Sequence, residues 1–284
     1  MSNKNNLHSI AILTCFYGKW PWYFPYFIHS CKYNPSVDFI IITDNIVADN
    51  ILPENVIIFQ KRMDEICAVA SEKMGFKVAI ENPYKLCDYK PTHAFLFPEI
   101  VKGYNFWGHG DIDVLYGDIR AFITEEILNS YDIINSRHDY ITGAFCLYKN
   151  NKQMNTLFMQ SKDYRTVFIN PEHYCFDECN FLYKELRDGS SIFDHPGNIQ
   201  SMTYVVKRAV AEGELRALFD FIILEGVPGK IKWDNGKIIY KNEFEAMFYH
   251  LIKFKTTCKN TVALNPIPET LYLTTKQIHT NKDI

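Results

Sequence analysis

The 284-residue sequence contains no cysteine pair spaced as CxxC. Its eight cysteines, Cys15, Cys31, Cys67, Cys87, Cys146, Cys175, Cys179 and Cys258, are scattered along the chain. That scatter excludes the usual disulfide framework and fits reduced thiols. The group nearest to a metal–thiolate cluster, His173, Cys175 and Cys179, matches no common structural zinc spacing and reads as part-buried thiols at a helix start. A long apolar run is also missing. The opening stretch MSNKNNLHSIAILTCFYGKW is broken at Gly18 and Lys19, too early for a signal core or a membrane span. A cytoplasmic protein is therefore expected. Basic charge is not in excess: 30 Lys and Arg stand against 33 Asp and Glu, net -3, so nothing attracts nucleic acid or anionic lipid in general. Repeats, linkers and low-complexity tracts are absent too.

What remains is a chain with 47% hydrophobic residues, enough to bury a substantial core. SIAILTCF (9–16) is a β-rich apolar run that stops at a Gly18/Pro21 loop and helix start. The pattern repeats when PWYFPYFIHSCKYN gives way to VDFIIITDN, an apolar run without alternation. Such a run predicts a strand covered on both faces, as in a parallel sheet flanked by helices. NVIIFQ (55–60) adds a third strand, residues 62–80 and 84–102 read as mainly helical, YDIINS and ITGAFCLYKN as strands, and KQMNTLFMQS as a helix. KIKW and KIIY flank Asp234, Asn235 and Gly236, a hairpin with a tight turn. The fold class is α/β. We expect one domain over residues 1–255 and a polar, poorly patterned tail over 256–284.

Sheets of this kind bind ligands at the carboxyl ends of their strands. Three polar clusters fall there: Thr14 to Gly18, Thr43 with Asp44, and Asp111 to Asp113 within FWGHGDIDVLYGDIR. Alternation places Asp111 and Asp113 on one face, with Ile112 turned into the core. Two carboxylates so close repel each other unless a cation sits between them. Oxygen ligands select a hard divalent ion, Mg²⁺ or Mn²⁺, which keeps positions open for phosphate oxygens. The pair thus points to a metal-bound diphosphate. Asp118, just before IRAFITEEIL, reads as a helix N-cap.

Several stretches together carry a family resemblance: YGKWPWYFPYFIHSCKYNPSVDFIIITD, NPYKLCDYKPTHAFLFPE, FWGHGDIDVLYGDIR, FDE and MFYHLIKFK, spread over residues 9–255. On these the chain resembles a bacterial family of GT-A-type, DxD-containing glycosyltransferases of polysaccharide biosynthesis. The resemblance implies a GT-A-like, Rossmann-like sheet, mostly parallel and flanked by helices, with a late hairpin and a C-terminal extension. It implies transfer of a sugar from a nucleotide-sugar donor, a UDP-sugar, to a surface-polysaccharide or lipid-linked glycan acceptor. Such an acceptor would lie at the inner face of the cytoplasmic membrane and make the protein peripheral at most.

The resemblance also assigns residues. Asp113 would be the firmer ligand of Mn²⁺ or Mg²⁺, and Asp111 would touch the metal or the ribose. His250 in EAMFYHLIKFK would be a third metal ligand, and Lys253 or Lys255 would meet the diphosphate. Thr14, Tyr17 and Asp44 lie where GT-A folds receive base and ribose, and Lys85 and Asp88, in YKLCDYKP with Lys90, correspond to a donor-contacting helix. Each has a plainer alternative. His250 could be a hydrogen-bonded core histidine, Lys85 and Asp88 an i,i+3 ion pair, Thr14, Tyr17 and Asp44 ordinary loop residues, and WPWYFPYF core packing rather than a sugar-stacking surface.

Asp177 and Glu178 in HYCFDECNFLY form a second acidic pair. They are expected to face the reacting centre, one of them as general base for an acceptor hydroxyl if the reaction inverts, or as orienting groups if it retains. The alternative is two acids favoured by a helix N-terminus. Two other functions compete with the transferase. DIDV partly resembles the nucleophile loop of haloacid-dehalogenase-type phosphatases, although that loop normally ends an early strand. A nucleotide-sugar-binding module without turnover is the other.

Overall fold

A computed structural model describes residues 7–47, 52–220, 222–259 and 262–280. In chain order the first strands are β1 (Ile10–Cys15), β2 (Val37–Thr43), β3 (Val56–Gln60), β4 (Phe106–Gly110), β5 (Val114–Tyr116), β6 (Ile133–Asn135) and β7 (Phe145–Lys149). The later ones are β8 (Ala217–Phe219), β9 (Ile223–Leu224), β10 (Ile231–Asp234), β11 (Lys237–Tyr240), β12 (Phe244–Ala246), β13 (Phe248–His250), β14 (Thr270–Leu273) and β15 (Ile278–His279).

The central sheet has the order β3-β2-β1-β4-β7-β6-β8, and only β7 runs against its neighbours. This is the mostly parallel α/β sheet the apolar runs predict. On β1, Ile10 and Ile12 enter one core while Ala11 and Leu13 enter the other, so alternate side chains are buried on opposite faces. Each large apolar side chain buried in this way contributes roughly 1.5–3 kcal/mol. Helix α1 (Phe24–Lys32) packs Phe24, Phe27 and Ile28 on the first face. Helix α2 (Met63–Met74) and the helix Met202–Ala211 cover the second.

The chain lays β1, β2 and β3 outward in one direction and then returns to place β4 on the other side of β1. That reversal opens a crevice at the carboxyl ends of β1 and β4, the usual ligand position in open α/β sheets. Two smaller sheets stand beside the central one. In the ribbon β5-β13-β9, β13 pairs antiparallel with β5 and parallel with β9. The sheet β12-β11-β10-β14-β15 contains the expected hairpin, turned by Asn235 and Gly236 at φ 48° and 82°.

The helical expectations are corrected in three places. The helix over 62–80 ends early, because Gly75 takes a left-handed φ of 74° and caps α2. The segment 84–102 is a 3₁₀ stretch, Pro83–Thr92, followed by the short helices His93–Leu96 and Pro98–Val101, since Pro91 and Pro98 each remove a helical N–H. KQMNTLFMQS splits into a helix at Lys152–Asn155 and a 3₁₀ turn at Leu157–Gln160. The tail over 256–284 is not patternless: β14 pairs with β10, setting Leu271 opposite Trp233, and Leu271, Leu273 and Ile278 are buried. Its residues 260–261 and 281–284 lie outside the described residues. No helix among the described residues is long and apolar enough to cross a membrane.

Candidate active site

β4 is the platform. Gly108 packs so closely on β7 that a Cβ there would meet the Cys146 carbonyl oxygen at 2.5 Å, so only glycine lets the strand lie flat at this point. Just past Gly110 the chain bends before β5, with Asp111 half-buried, Asp113 buried and Ile112 packed in the core, so the acidic pair lies in a bend rather than on the pleat of a strand. Asp118 caps the helix Ile119–Phe122 by accepting from the Ala121 N–H at 3.1 Å, as its position predicts.

The ribbon brings the third member. In the β13–β5 ladder His250 lies opposite Val114, and the Leu251 N–H donates to the Asp113 carbonyl at 2.8 Å. His250 Nε2 consequently sits 3.6 Å from Asp113 Oδ2. One ligand atom from each of Asp111, Asp113 and His250 falls within a mutual 4.8 Å. Ligands on opposite sides of a single ion held at about 2.0–2.1 Å are roughly 4.2 Å apart, so a small closure suffices for these three to share Mg²⁺ or an ion of similar size. Two carboxylates and an imidazole also suit the chemistry of Mn²⁺.

In this arrangement Lys255 Nζ donates to Asp113 Oδ2 at 2.7 Å, so a cationic group already answers the negative charge. Burial pushes the Asp113 carboxyl up, but the hydrogen bonds and charges of His250 and Lys255 outweigh it and hold it well below the usual range. Burial pushes His250 down, and its bonds to Asp113 and Glu225 more than reverse this, raising it to about 10.

A second acidic centre is joined to the first by Lys90. Its ammonium donates to Asp111 Oδ1 at 2.7 Å and to the Gly143 carbonyl at 3.0 Å, and lies 3.6 Å from Asp177 Oδ2. Gly143 leaves room for these side-chain ends: a Cβ would stand 2.7 Å from Asp177 Oδ2 and 2.8 Å from Lys90 Nζ and would push them aside. Glu178 accepts from the Gly143 N–H at 2.6 Å and from the Tyr183 hydroxyl. Asp177 is buried, and its Oδ1 has no hydrogen-bond partner. Burial pushes both carboxyls up, Asp177 well above the usual range and Glu178 to about 7.

The loop carrying this pair is pinned from below. Asp88 accepts from the Tyr174 N–H at 2.9 Å and the Phe176 N–H at 2.8 Å, and Lys85 Nζ donates to Asp88, to the Val167 carbonyl at 2.7 Å and to the Glu172 carbonyl at 2.5 Å. Cys175, Asn180 and Phe181 all have positive φ, a concentration of backbone strain next to the acidic pair. Lys85 and Asp88 are fully buried and spent on these bonds, which corrects their reading as donor contacts: they are the ion pair of the plainer alternative, and they brace the loop. His173 is 3.1 Å from Asp88 and Cys175 Sγ is 2.9 Å from the Tyr183 hydroxyl; ligand atoms of His173, Cys175 and Asp177 also lie within 4.8 Å of one another. Cys175 and Cys179 are buried in a turn, not at a helix start.

The remaining predicted residues divide. Thr14, at the end of β1, is buried with its hydroxyl bonded to the Gly110 carbonyl at 2.9 Å, so it ties β1 to the acidic strand end. Tyr17 donates to the Lys61 carbonyl at 2.7 Å, and Asp44 is exposed beyond β2. Lys253 is exposed, and it is Lys255 that reaches the acidic centre. In WPWYFPYF, Phe24, Tyr26 and Phe27 are core residues, and Trp20, Trp22 and Phe24 line a separate cavity of about 1250 Å³ that none of Asp111, Asp113, Asp177, Glu178 or His250 lines. The bridging of Lys90, the fit of Gly143 and the placement of Glu225 and Arg137 were not assigned from sequence.

A family model described as a family of unknown function, DUF6625, matches residues 12–282. The chain belongs to that family. No curated protein matches this DUF6625 chain. Among solved structures it is similar to the galactosyltransferase LgtC in complex with donor and acceptor sugar analogs, at 11% identity and TM-score 0.36, over 76% of this chain and 75% of that one. It is similar to mouse xyloside xylosyltransferase 1 at 11% identity and TM-score 0.42, over 86% and 96% of the two chains. The glycosyltransferase GlyE of Streptococcus pneumoniae TIGR4 matches at 8% identity and TM-score 0.35, over 74% of this chain and 45% of that one. At TM-scores below 0.5 these likenesses decide nothing about what the DUF6625 chain does.

Proposed function

We propose that this DUF6625 protein is a metal-dependent glycosyltransferase that moves a sugar from a nucleotide-sugar, a UDP-sugar, to a hydroxyl of a surface-polysaccharide or lipid-linked glycan. The observation that carries the reading is the meeting of Asp111, Asp113 and His250 at the switch-point crevice, with Lys90 linking them to Asp177 and Glu178. Asp113, His250 and Asp111 would hold Mn²⁺ or Mg²⁺, which when bound supplies Lewis-acid stabilisation of the leaving diphosphate. Lys255 leaves Asp113 on loading and offers its point charge to the phosphates. Lys90 binds Asp111 and holds Asp177 beside it. The unpartnered Oδ1 of Asp177 accepts a hydrogen bond from a sugar hydroxyl, and Glu178, fixed by Gly143 and Tyr183, is ionised above about pH 7 and in that form takes the proton of an acceptor hydroxyl. Tyr17 and Asp44, beyond the ends of β1 and β2, face the base and ribose. A lipid-linked acceptor would bring the protein to the inner face of the cytoplasmic membrane as a peripheral partner.

The test is release of nucleoside diphosphate from a panel of nucleotide-sugars with Mn²⁺. Turnover of at least one sugar, abolished by EDTA and by Asp113→Ala, supports the transferase. Hydrolysis of simple phosphate monoesters without any sugar release points instead to a phosphatase, and Mn²⁺-dependent binding of a nucleotide-sugar without release to a binding module.

A further inference from the structure

The ribbon that delivers His250 also delivers a carboxylate to its far side. β9 runs parallel to β13 with Leu224 opposite Tyr249, so Glu225 and His250 emerge side by side as the strands end. Glu225 Oε1 lies 3.3 Å from His250 Nδ1, while Nε2 of the same ring points at Asp113. The other oxygen, Oε2, accepts from Arg137 Nη1 at 2.6 Å. Arg137 in turn forks onto Asp139 through Nε at 2.8 Å and Nη2 at 2.6 Å, and its guanidinium lies 4.5 Å over the Tyr140 ring. Arg137 is buried and follows β6, so this end of the chain of charges is anchored in the central sheet while Glu225 belongs to the ribbon.

We propose that Glu225, held in place by Arg137 and Asp139, is the positioning residue that aims His250 at the metal and so sets the metal affinity of the site. The inference rests on the metal reading of Asp111, Asp113 and His250. A neutral imidazole has one N–H and one lone pair. A carboxylate that accepts a hydrogen bond from Nδ1–H keeps the proton on that nitrogen, leaves the Nε2 lone pair for the ion, fixes the ring plane and makes Nε2 a better ligand. Arg137 has its own part. Without it Glu225 would be a further uncompensated negative charge beside Asp113 and could swing in as a competing ligand. The fork on Asp139 fixes the guanidinium, and the guanidinium fixes the carboxylate.

The experiment is a titration of the full-length protein with Mn²⁺ alone, followed by calorimetry or by the electron-spin signal of free Mn²⁺, beside its thermal unfolding. Wild type is expected to bind and Asp113→Ala to lose binding. Glu225→Ala is expected to bind about 10–100-fold more weakly, and Glu225→Gln, which keeps an acceptor oxygen without the charge, to fall between. If Glu225→Ala does not fold, Glu225→Gln decides, with a weakened affinity expected. Wild-type affinity in folded Glu225 variants, with binding still lost in Asp113→Ala, overturns this proposal alone and leaves Glu225 as a staple between ribbon and sheet. Absence of Mn²⁺ binding in wild type overturns the metal reading and this proposal with it.

Discussion

His250 lies directly opposite Val114 in an antiparallel ladder, with its ring Nε2 3.6 Å from the carboxylate of Asp113. Backbone pairing, not a flexible side chain, brings the C-terminal half of the chain to the acidic strand end. Removing the ring should therefore leave the fold intact and change the metal requirement. For His250→Ala at saturating donor, the Mn²⁺ concentration giving half-maximal rate should rise at least about tenfold, in line with loss of one ligand group. An unchanged requirement would return His250 to a core role.

Gly143 gives a test of geometry with little confounding by stability. A Cβ at this position collides with the ends of two side chains, Asp177 and Lys90, rather than with backbone. Gly143→Ala should unfold within a few degrees of wild type yet lose on the order of 10²-fold in turnover, since displacements near 1 Å at a reacting centre have that effect. Activity within twofold of wild type would show that the Lys90 bridge does not matter.

The buried pair below the site answers to stability instead. Asp88→Ala leaves the Lys85 ammonium without its carboxylate in a fully buried position and frees two N–H groups of the strained loop. Breaking such a pair costs about 3–5 kcal/mol, measurable as a lower denaturant midpoint. A loss under about 1 kcal/mol would mean that water reaches the pair.

Glu178 sets a pH dependence. Burial and the nearby Cys175 raise it from the ordinary 4.5 to about 7, so between these values the folded state keeps a proton that the unfolded chain has released. Stability then falls as pH rises through this window and levels off above 7. The acidic pair titrates as a unit, because Asp177 is raised beside it. Unfolding of wild type and Glu178→Gln should converge or cross between pH 5 and 7, about the span named, with wild type losing stability relative to the variant. A difference independent of pH would contradict the burial argument.

Much of the frame was legible locally. A run such as VDFIIITDN declares a two-sided strand because its neighbours in sequence are all apolar, Asp118 declares a cap by position, and Asn235–Gly236 a turn by its need for positive φ. Asp111 and Asp113 were legible because two like charges side by side at a strand end repel each other and call for a cation. The rest depends on partners far along the chain. Lys85 reads as a donor contact or one half of a helical ion pair until the carbonyls of Val167 and Glu172 close over it, and Lys90 gains its role only when Asp111, Gly143 and Asp177 converge. Glu225 follows a strand of two residues, too short to show a period, and the tail strands carry only TLYL and IH as signal.

The proposed chemistry depends on Asp111, Asp113 and His250 holding one divalent ion against a nucleoside diphosphate. Crystals of the protein grown with Mn²⁺ and UDP, with anomalous differences recorded at the manganese edge, test this arrangement without recourse to kinetics. One dominant peak is expected at coordinating distance, about 2.0–2.3 Å, from Asp113, His250 and Asp111, with phosphate oxygens completing the shell and Lys255 turned away from Asp113. A crystal with UDP bound but no peak there, or with the peak between His173, Cys175 and Asp177, would contradict it.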